Sequence, residues 1–288
     1  MQCELFSRNK AMIRYPTKSI IRSQGIRPHK SRGQNFLIDG NLAERTVAQA
    51  CIGPDDCVIE IGPGAGALTF FLVRQTTHLH CFEIDRQLCA MLMDVYGHTP
   101  AVFYNQDILK ADFEGLCPPG EAMILTGSIP YNITSQIVLK FLSSAKLFRQ
   151  AVLIVQKEFA ERLCAAPGSR EYGILSVLAK AYAPPRSLFA IPAACFYPQP
   201  DVDSAAIMLV PDLSRQWSDA REVFFQKVVR AAFSTRRKKL KNCLKPFLSD
   251  DPAAVQAALL KAGIDLDRRA ETLALDEFYT LADLLRAL

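Results

Sequence analysis

Four short stretches of the chain hold the residue types that chemistry needs. Glu60-Ile61-Gly62-Pro63-Gly64-Ala65-Gly66-Ala67-Leu68-Thr69 follows an apolar run and leads toward a helix. Glycine lets backbone approach a ligand closely, and a helix start offers unpaired amides, so this stretch can seat a nucleotide-like group. Its Gly-x-Gly-x-Gly spacing departs from the Gly-x-Gly-x-x-Gly of dinucleotide sites and weakens a NAD reading; a tight structural turn is the plain alternative. Glu83, in Glu83-Ile84-Asp85, ends the next apolar run, where a carboxylate can accept both hydroxyls of a ribose. Asp107, after Asn105-Gln106, is placed to accept from an adenine-type amino group. An acid at either place is equally consistent with a helix cap. The fourth stretch, Gly127-Ser128-Ile129-Pro130-Tyr131-Asn132, joins a side-chain oxygen, the carbonyl beside a proline and an aromatic ring. Two acceptors can hold both N–H bonds of an exocyclic amine and favour a pyramidal nitrogen, while the ring stacks on the base that carries it. Its plain alternative is a strand turn that happens to contain Pro-Tyr.

The elements that must position these residues are legible as alternation. Cys57–Ile61, Leu79–Phe82, Val102–Tyr104, Met123–Thr126 and Ala151–Val155 are short apolar runs, separated by stretches with helical spacing. Asn41 is a candidate cap for a helix running through Cys51, and Phe159 and Leu163 mark a helix after the fifth run. Alternating strands and helices imply a parallel sheet covered on both faces, with ligands bound outside the carboxyl ends of its strands. Another apolar run, Ala205–Val210, ends at Pro211-Asp212, and only helical patterns follow. Three units are expected: a basic arm over 1–34, an α/β domain over 35–212 and a small all-helical domain over 213–288. Within the arm, Ile20, Ile21 and Ile26 have weak helical spacing before Pro28.

Charge and composition narrow the function classes. The chain has 288 residues, 50% apolar and 22% charged, which is globular composition. No apolar run approaches the roughly 18 residues of a membrane helix. Nine cysteines are scattered without a Cys-x-x-Cys pair, so neither a disulfide framework nor a zinc site is expected, and a reducing cytoplasm fits. His29, His78, His80 and His98 have no metal-ligand spacing either, so no metal is expected. The net charge of +5 is uneven: +7 over residues 1–34, +6 over 212–250 and −8 elsewhere. Two basic blocks on an acidic body suggest a polyanion met at two places, with solvated charge as the alternative. Arg230, Lys238, Lys241 and Lys245 have helical spacing, and Ser234-Thr235 is a candidate cap, so this stretch is expected to form a rail for phosphates.

The Ser-Ile-Pro-Tyr turn is similar to the signature of amino-group methyltransferases. With it come Gly33-Gln34-Asn35-Phe36-Leu37, the glycine stretch, Glu83-Ile84-Asp85, Gln156-Lys157-Glu158 and Tyr172-Gly173-Ile174-Leu175-Ser176. Phe196-Tyr197-Pro198-Gln199-Pro200-Asp201-Val202-Asp203-Ser204 and Val229-Arg230-Ala231-Ala232-Phe233-Ser234-Thr235-Arg236-Arg237-Lys238 complete the set. In this order, from about Lys18 to Leu285, they resemble the small-subunit ribosomal RNA adenine N6,N6-dimethyltransferases. The resemblance implies a Rossmann-like, S-adenosylmethionine-dependent methyltransferase with a C-terminal helical domain. By that resemblance Asn35, Leu37, Gly62, Gly64, Glu83, Asp107 and Ser128 contact S-adenosylmethionine. Ser128, Pro130, Tyr131 and Phe196 hold the target adenine, and Arg230, Arg236, Arg237, Lys238 and Lys241 contact RNA. The implied reaction places two methyl groups on each of two adjacent adenosines in the 3′-terminal hairpin loop of 16S ribosomal RNA. The implied partner is the small ribosomal subunit; a cytoplasmic monomer is expected. Ser128 is a departure, since the family places Asn there, and its shorter side chain puts efficiency in question more than reaction class. Two rivals share much of the pattern: a large-subunit ribosomal RNA methyltransferase conferring antibiotic resistance, and a non-enzymatic RNA-binding assembly or transcription factor of the same fold.

Overall fold

The computed structural model describes residues 13–23, 25, 26, 28, 33–118, 120–214, 218–235, 237–248 and 252–287. Cys3, His29, Arg236 and most of the basic arm lie outside them. A short helix α1 (Lys18–Ser23) comes first, then β1 (Phe36–Leu37) and α2 (Gly40–Gln49). The alternation continues with β2 (Cys57–Ile61), α3 (Thr69–Leu72), β3 (His78–Phe82), α4 (Arg86–Tyr96), β4 (Val102–Tyr104) and β5 (Met123–Ser128). Next come α5 (Thr134–Ser143), β6 (Phe148–Gln156), α6 (Lys157–Cys164) and α7 (Ile174–Tyr182). Then follow β7 (Pro185–Ile191), β8 (Phe196–Tyr197) and β9 (Ser204–Leu209). Four helices close the chain: α8 (Asp219–Ala232), α9 (Leu240–Cys243), α10 (Pro252–Lys261) and α11 (Leu275–Ala287).

Seven strands form one sheet in the order β4-β3-β2-β5-β6-β9-β7. The five expected apolar runs are its parallel strands; β9 inserts antiparallel between β6 and β7. Alternation along the central strands divides the core. Ile59, Leu125 and Leu153 join one apolar cluster, while Val58, Ile124 and Val152 join the other. The second face is covered by Ala43 and Val47 of α2, Leu72 of α3 and Leu92 and Tyr96 of α4. The first continues without a break into Phe225, Val228, Phe278 and Leu281 of α8 and α11, so the C-terminal helices share the core of the sheet's first face. The described elements beyond residue 212 are all helical, in agreement with the helical patterns of the sequence there.

Several local expectations are corrected. Asp39, not Asn41, caps α2, its carboxylate accepting from Leu42 N–H at 3.0 Å. The sheet is mixed rather than all parallel, and β7 was not foreseen because residues 185–191 read as neither an apolar run nor a clean alternation. Cys57 and Cys117 form a disulfide with Cα atoms 6.1 Å apart. Sixty residues separate them, so only the fold, which brings the segment after β4 under the start of β2, makes them neighbours. No helix among the described residues is long and apolar enough to cross a membrane.

Candidate active site

The chain enters the sheet at β2, builds outward to β4, then returns to β5 on the other side of β2. Strand order reverses between β2 and β5, and a crevice opens at such a point beyond the carboxyl ends. The registers Ile61↔Phe82 and Ile61↔Gly127 align the ends of β2, β3 and β5, so three of the four chemical stretches emerge side by side. Alignment this close requires glycine at 127: a Cβ there would lie 2.5 Å from the Ile61 carbonyl oxygen.

One wall of the cleft is the glycine loop. Gly62 and Gly64 have φ of +58° and +59°, a left-handed conformation that favours glycine. A Cβ on Gly62 would project toward Pro130 and the Ser128 carbonyl, 4.0 Å away, and stand in the cleft. Glu83 is almost fully buried at the floor. Its Oε2 accepts from Gly64 N–H at 3.0 Å and its Oε1 from Asp85 N–H at 2.8 Å, which ties the end of β3 to the loop after β2. Asp85, rather than Glu83, caps α4, its carboxylate accepting from Gln87 and Leu88 N–H. Gln34 donates to Asp85 at 3.3 Å and adds a polar rim.

The opposite wall is built by a ribbon that sequence spacing does not disclose. β1 pairs antiparallel with β8, placing Leu37 opposite Phe196 and Phe36 opposite Tyr197, and Ile38 N–H donates to Cys195 O at 2.8 Å. Residues 159 and 161 positions apart along the chain thereby become one lip of the cleft, on which Asn35, Leu37 and Phe196 all lie. Ser128, Pro130 and Tyr131 complete the lining. The Tyr131 hydroxyl is 2.9 Å from Ser204 Oγ, which is buried at the start of β9, so the ring is fixed from its far end. Burial raises the Tyr131 phenol above its ordinary value, and the nearby Asp203 charge adds to this, so the group stays neutral. The Ser128 hydroxyl has no hydrogen-bond partner among the described residues and is half-buried in the cleft, an acceptor left available.

Asp107 is the exception. It does not line the cleft but caps the turn at Ile108–Lys110, accepting from Leu109 N–H at 2.9 Å. Residue spacing assigns no role to Glu60, Gln34 or Ile84. Glu60 is buried beneath the glycine loop, where Thr69 Oγ1 donates to it at 2.7 Å and Cys81 Sγ lies 3.4 Å away. Burial pushes its carboxyl up to about 7. An acid inside the otherwise apolar Cys-Val-Ile-Glu-Ile run is the sequence signal that points to it. Ile84 is 58% exposed directly after Glu83, an apolar face set beside a carboxylate.

The chain that builds this cleft matches known proteins over most of its length. The profile described as "Ribosomal RNA adenine dimethylase" matches residues 25–287. The chain belongs to the ribosomal RNA adenine dimethylase family. The ribosomal RNA small subunit methyltransferase A of Syntrophotalea carbinolica is 44% identical over 263 residues, 90% of this chain and 97% of that protein. The protein of the same description from Bacillus thuringiensis is 39% identical over 279 residues, covering 93% and 95%. Among solved structures, a dimethyladenosine transferase from Plasmodium falciparum superposes with a TM-score of 0.73 at 25% identity, covering 85% of this chain and 95% of that one. The fold is thus the Rossmann-like fold of S-adenosylmethionine-dependent methyltransferases, as the resemblance implied. The family's donor fits this cleft: the left-handed Gly62 and Gly64 carry the loop backbone along its wall, and Glu83, anchored by the Gly64 N–H, is among the lining residues.

The phosphate rail expected from helical spacing takes another form in the structure. Arg230 lies exposed near the end of α8, but the helix stops at Ala232 and a turn follows, with Lys238 N–H donating to Thr235 O at 3.1 Å. Lys238 sits in that turn, Lys241 on α9 and Lys245 on a separate turn at Lys245–Phe247, so no single helix carries them. Ser234-Thr235 caps no helix; α9 begins after Lys239 without a side-chain cap. Main-chain bonds from Leu240 to Arg268 O and from Lys241 to Leu266 O break the continuity by holding α9 to the 266–268 loop. Lys241 Nζ is 2.6 Å from Asp267 Oδ1, and Lys239 Nζ reaches the same oxygen at 3.2 Å. Arg237 and Lys238 are exposed, and Arg236 lies outside the described residues.

Proposed function

We propose that the protein dimethylates N6 of two adjacent adenosines in the 3′-terminal hairpin loop of 16S ribosomal RNA, acting on the small ribosomal subunit as a cytoplasmic monomer. The observation that carries this reading is the unpartnered Ser128 hydroxyl, set between the glycine loop and the aromatic pair Tyr131 and Phe196. Names of relatives at 39–44% identity over nine-tenths of the chain support the substrate. S-adenosylmethionine, when bound, supplies an activated methyl group on a sulfonium centre. Glu83 holds the ribose through charge-assisted hydrogen bonds, with Leu37 and the glycine backbone bounding the donor. Phe196 and Tyr131 stack on the extruded adenine, and the Ser128 oxygen and the carbonyl beside Pro130 accept its two N–H bonds. Accepting both draws the nitrogen lone pair out of conjugation and aims it across the cleft, so orientation supplies most of what the protein adds to rate. Among the described residues no group of three or more metal-ligating side chains gathers. We further assign catalysis to residues 35–212 and ribosomal contact chiefly to 213–288.

A second reading has an observation of its own: the 23S rRNA methyltransferase ErmE superposes with a TM-score of 0.67 at 27% identity, covering 88% of this chain and all of that one. One experiment separates the readings. Purified protein and S-adenosylmethionine are incubated with unmethylated small subunits or with large-subunit RNA, and nucleosides are measured by mass spectrometry. Dimethyladenosine from the small subunit alone is expected; product from large-subunit RNA alone reverses the assignment. RNA binding without product from either substrate leaves a non-enzymatic factor.

A further inference from the structure

The first basic block has one described element, α1, and it docks directly beside the proposed base pocket. Ile21 is fully buried in a small cluster with Phe36 of β1, Ala65 of the glycine loop and Leu88 of α4. That contact fixes which way the helix turns. Lys18 and Arg22, one helical turn apart, share a face and are both exposed. Both lie against Tyr197: Lys18 Nζ is 5.3 Å and Arg22 Cζ 5.2 Å from the centre of its ring, and Arg22 Nε donates to its hydroxyl at 3.2 Å. Neither has a carboxylate partner among the described residues. Holding two cations over one ring, with no acid to neutralise them, costs repulsion that the ring quadrupole offsets only in part.

Tyr197 is the neighbour of Phe196 on β8. Successive residues of a strand face opposite ways about 3.3 Å apart, so Phe196 looks into the cleft while Tyr197 carries the cations on the back of the same lip. A nucleotide whose base is drawn into the cleft must carry its sugar-phosphate chain over that lip. We infer that Lys18 and Arg22, seated on Tyr197, form a phosphate site for the RNA strand on either side of the extruded adenosine. The inference rests on the proposed function for the identity of the strand, and it gives the N-terminal basic block a task distinct from that of the C-terminal one. Arg22 presents a planar fork already oriented by the Tyr197 hydroxyl, whereas Lys18 adds a point charge.

The test is the full-length Lys18→Gln/Arg22→Gln variant, which removes both charges and keeps the Ile21 contact. Three quantities are measured: affinity for a short single-stranded RNA with two adjacent adenosines across a salt series, S-adenosylmethionine affinity by calorimetry, and KM and kcat on small subunits. The expected result is RNA affinity about tenfold weaker, a log–log salt slope shallower by about one to two units, and KM raised more than kcat falls. Donor affinity should not move. Unchanged RNA affinity and slope overturn the site, and so does an equal loss of donor affinity, which would make the pair part of the cofactor wall. Tyr197→Phe supplies a second variant: it keeps the ring and frees Arg22, and RNA affinity should fall by a few-fold. Oligonucleotide binding needs no turnover, so the phosphate site is decided even if the parent protein proves inactive on small subunits; that outcome counts against the proposed function alone.

Discussion

The cleft and the basic stretch around α9 hold their polar groups in opposite ways. In the cleft, buried partners do the holding: Gly64 and Asp85 N–H fix Glu83, and the buried Ser204 hydroxyl pins Tyr131. Around α9 the charged ends are exposed and meet other side chains, Lys239 and Lys241 sharing one Asp267 carboxylate. A main-chain amide cannot swing away or be screened, whereas a surface ion pair is weak and yields to salt or to a stronger anion. The cleft is therefore built to hold a geometry and the basic stretch to exchange partners. Substitutions in the first should change rate or affinity sharply and at all salt concentrations; in the second they should act gradually and through salt.

The largest effect is expected at Ser128. If its oxygen accepts from the adenine amino group, Ser128→Ala removes an interaction that strengthens as the nitrogen pyramidalises. Single-turnover methyl transfer should slow by roughly tenfold to a thousandfold, with RNA affinity nearly unchanged. Ser128→Asn, which restores the family's longer acceptor, should retain or raise the rate. An alanine variant as fast as the parent would leave orientation to the carbonyl beside Pro130 and to stacking.

Glu60 probes the floor of the cleft through pH. Its carboxyl is raised from 4.5 to about 7 by burial, so the folded state binds the proton more tightly than the unfolded chain does. The associated stability is fully present below about pH 4.5 and is lost as pH rises through about 7, by on the order of 3 kcal/mol. Glu60→Gln cannot ionise, so the difference in urea unfolding free energy between parent and variant should shift in the variant's favour from pH 5 to pH 8. A difference that stays constant over that range would mean that Glu60 is ionised throughout, with Thr69 and the glycine loop stabilising its charge.

Glu83→Ala should weaken S-adenosylmethionine binding about tenfold or more, close to 1.4 kcal/mol, as measured by calorimetry. The effect should be nearly the same at low and high salt, because the carboxylate is buried. A salt-dependent loss would move Glu83 to the side of the comparison where α9 stands.

The same contrast decides what the sequence made legible. The glycine loop, Glu83 and the Ser-Ile-Pro-Tyr turn sit at strand ends, and strand periodicity alone brings them together, so their grouping followed from the alternation. Asp107 sits at a strand end too, but its carboxylate turns back to cap Ile108–Lys110, a choice between a local amide and the cleft that spacing does not resolve. The lip of the cleft was hidden for another reason: β1 and β8 are two residues each, too short for any periodicity, and their paired residues lie 159 and 161 positions apart. The Cys57–Cys117 pair and the Asp267 link are likewise contacts between distant segments. Helical spacing over 230–245 predicted a continuous rail because it could not register that residues 266–268 claim the amides of Leu240 and Lys241.

The smallest effect concerns Asp267. Hydrogen bonds from Lys241 and then Lys239 hold its carboxyl below the usual range, and the same contacts withdraw two ammonium groups from any RNA. Asp267→Asn leaves a side chain of the same shape without the charge. If the α9 stretch meets phosphate, the variant should bind small-subunit RNA a few-fold more tightly at low salt. Its log–log salt slope should be steeper by up to about one to two units, because the released lysines displace further counterions. Neutralising exposed Arg237 and Lys238 should move the slope the other way by a similar amount. Neutralising Lys241 alone should move it least, since Asp267 already occupies that ammonium in the free protein. Donor affinity should stay fixed in every one of these variants. If Asp267→Asn leaves both affinity and slope at the parent values, the lysines are a solvated face and Asp267 merely joins α9 to the loop before α11. The contrast with the cleft would then lie between a site and a scaffold rather than between two kinds of binding surface.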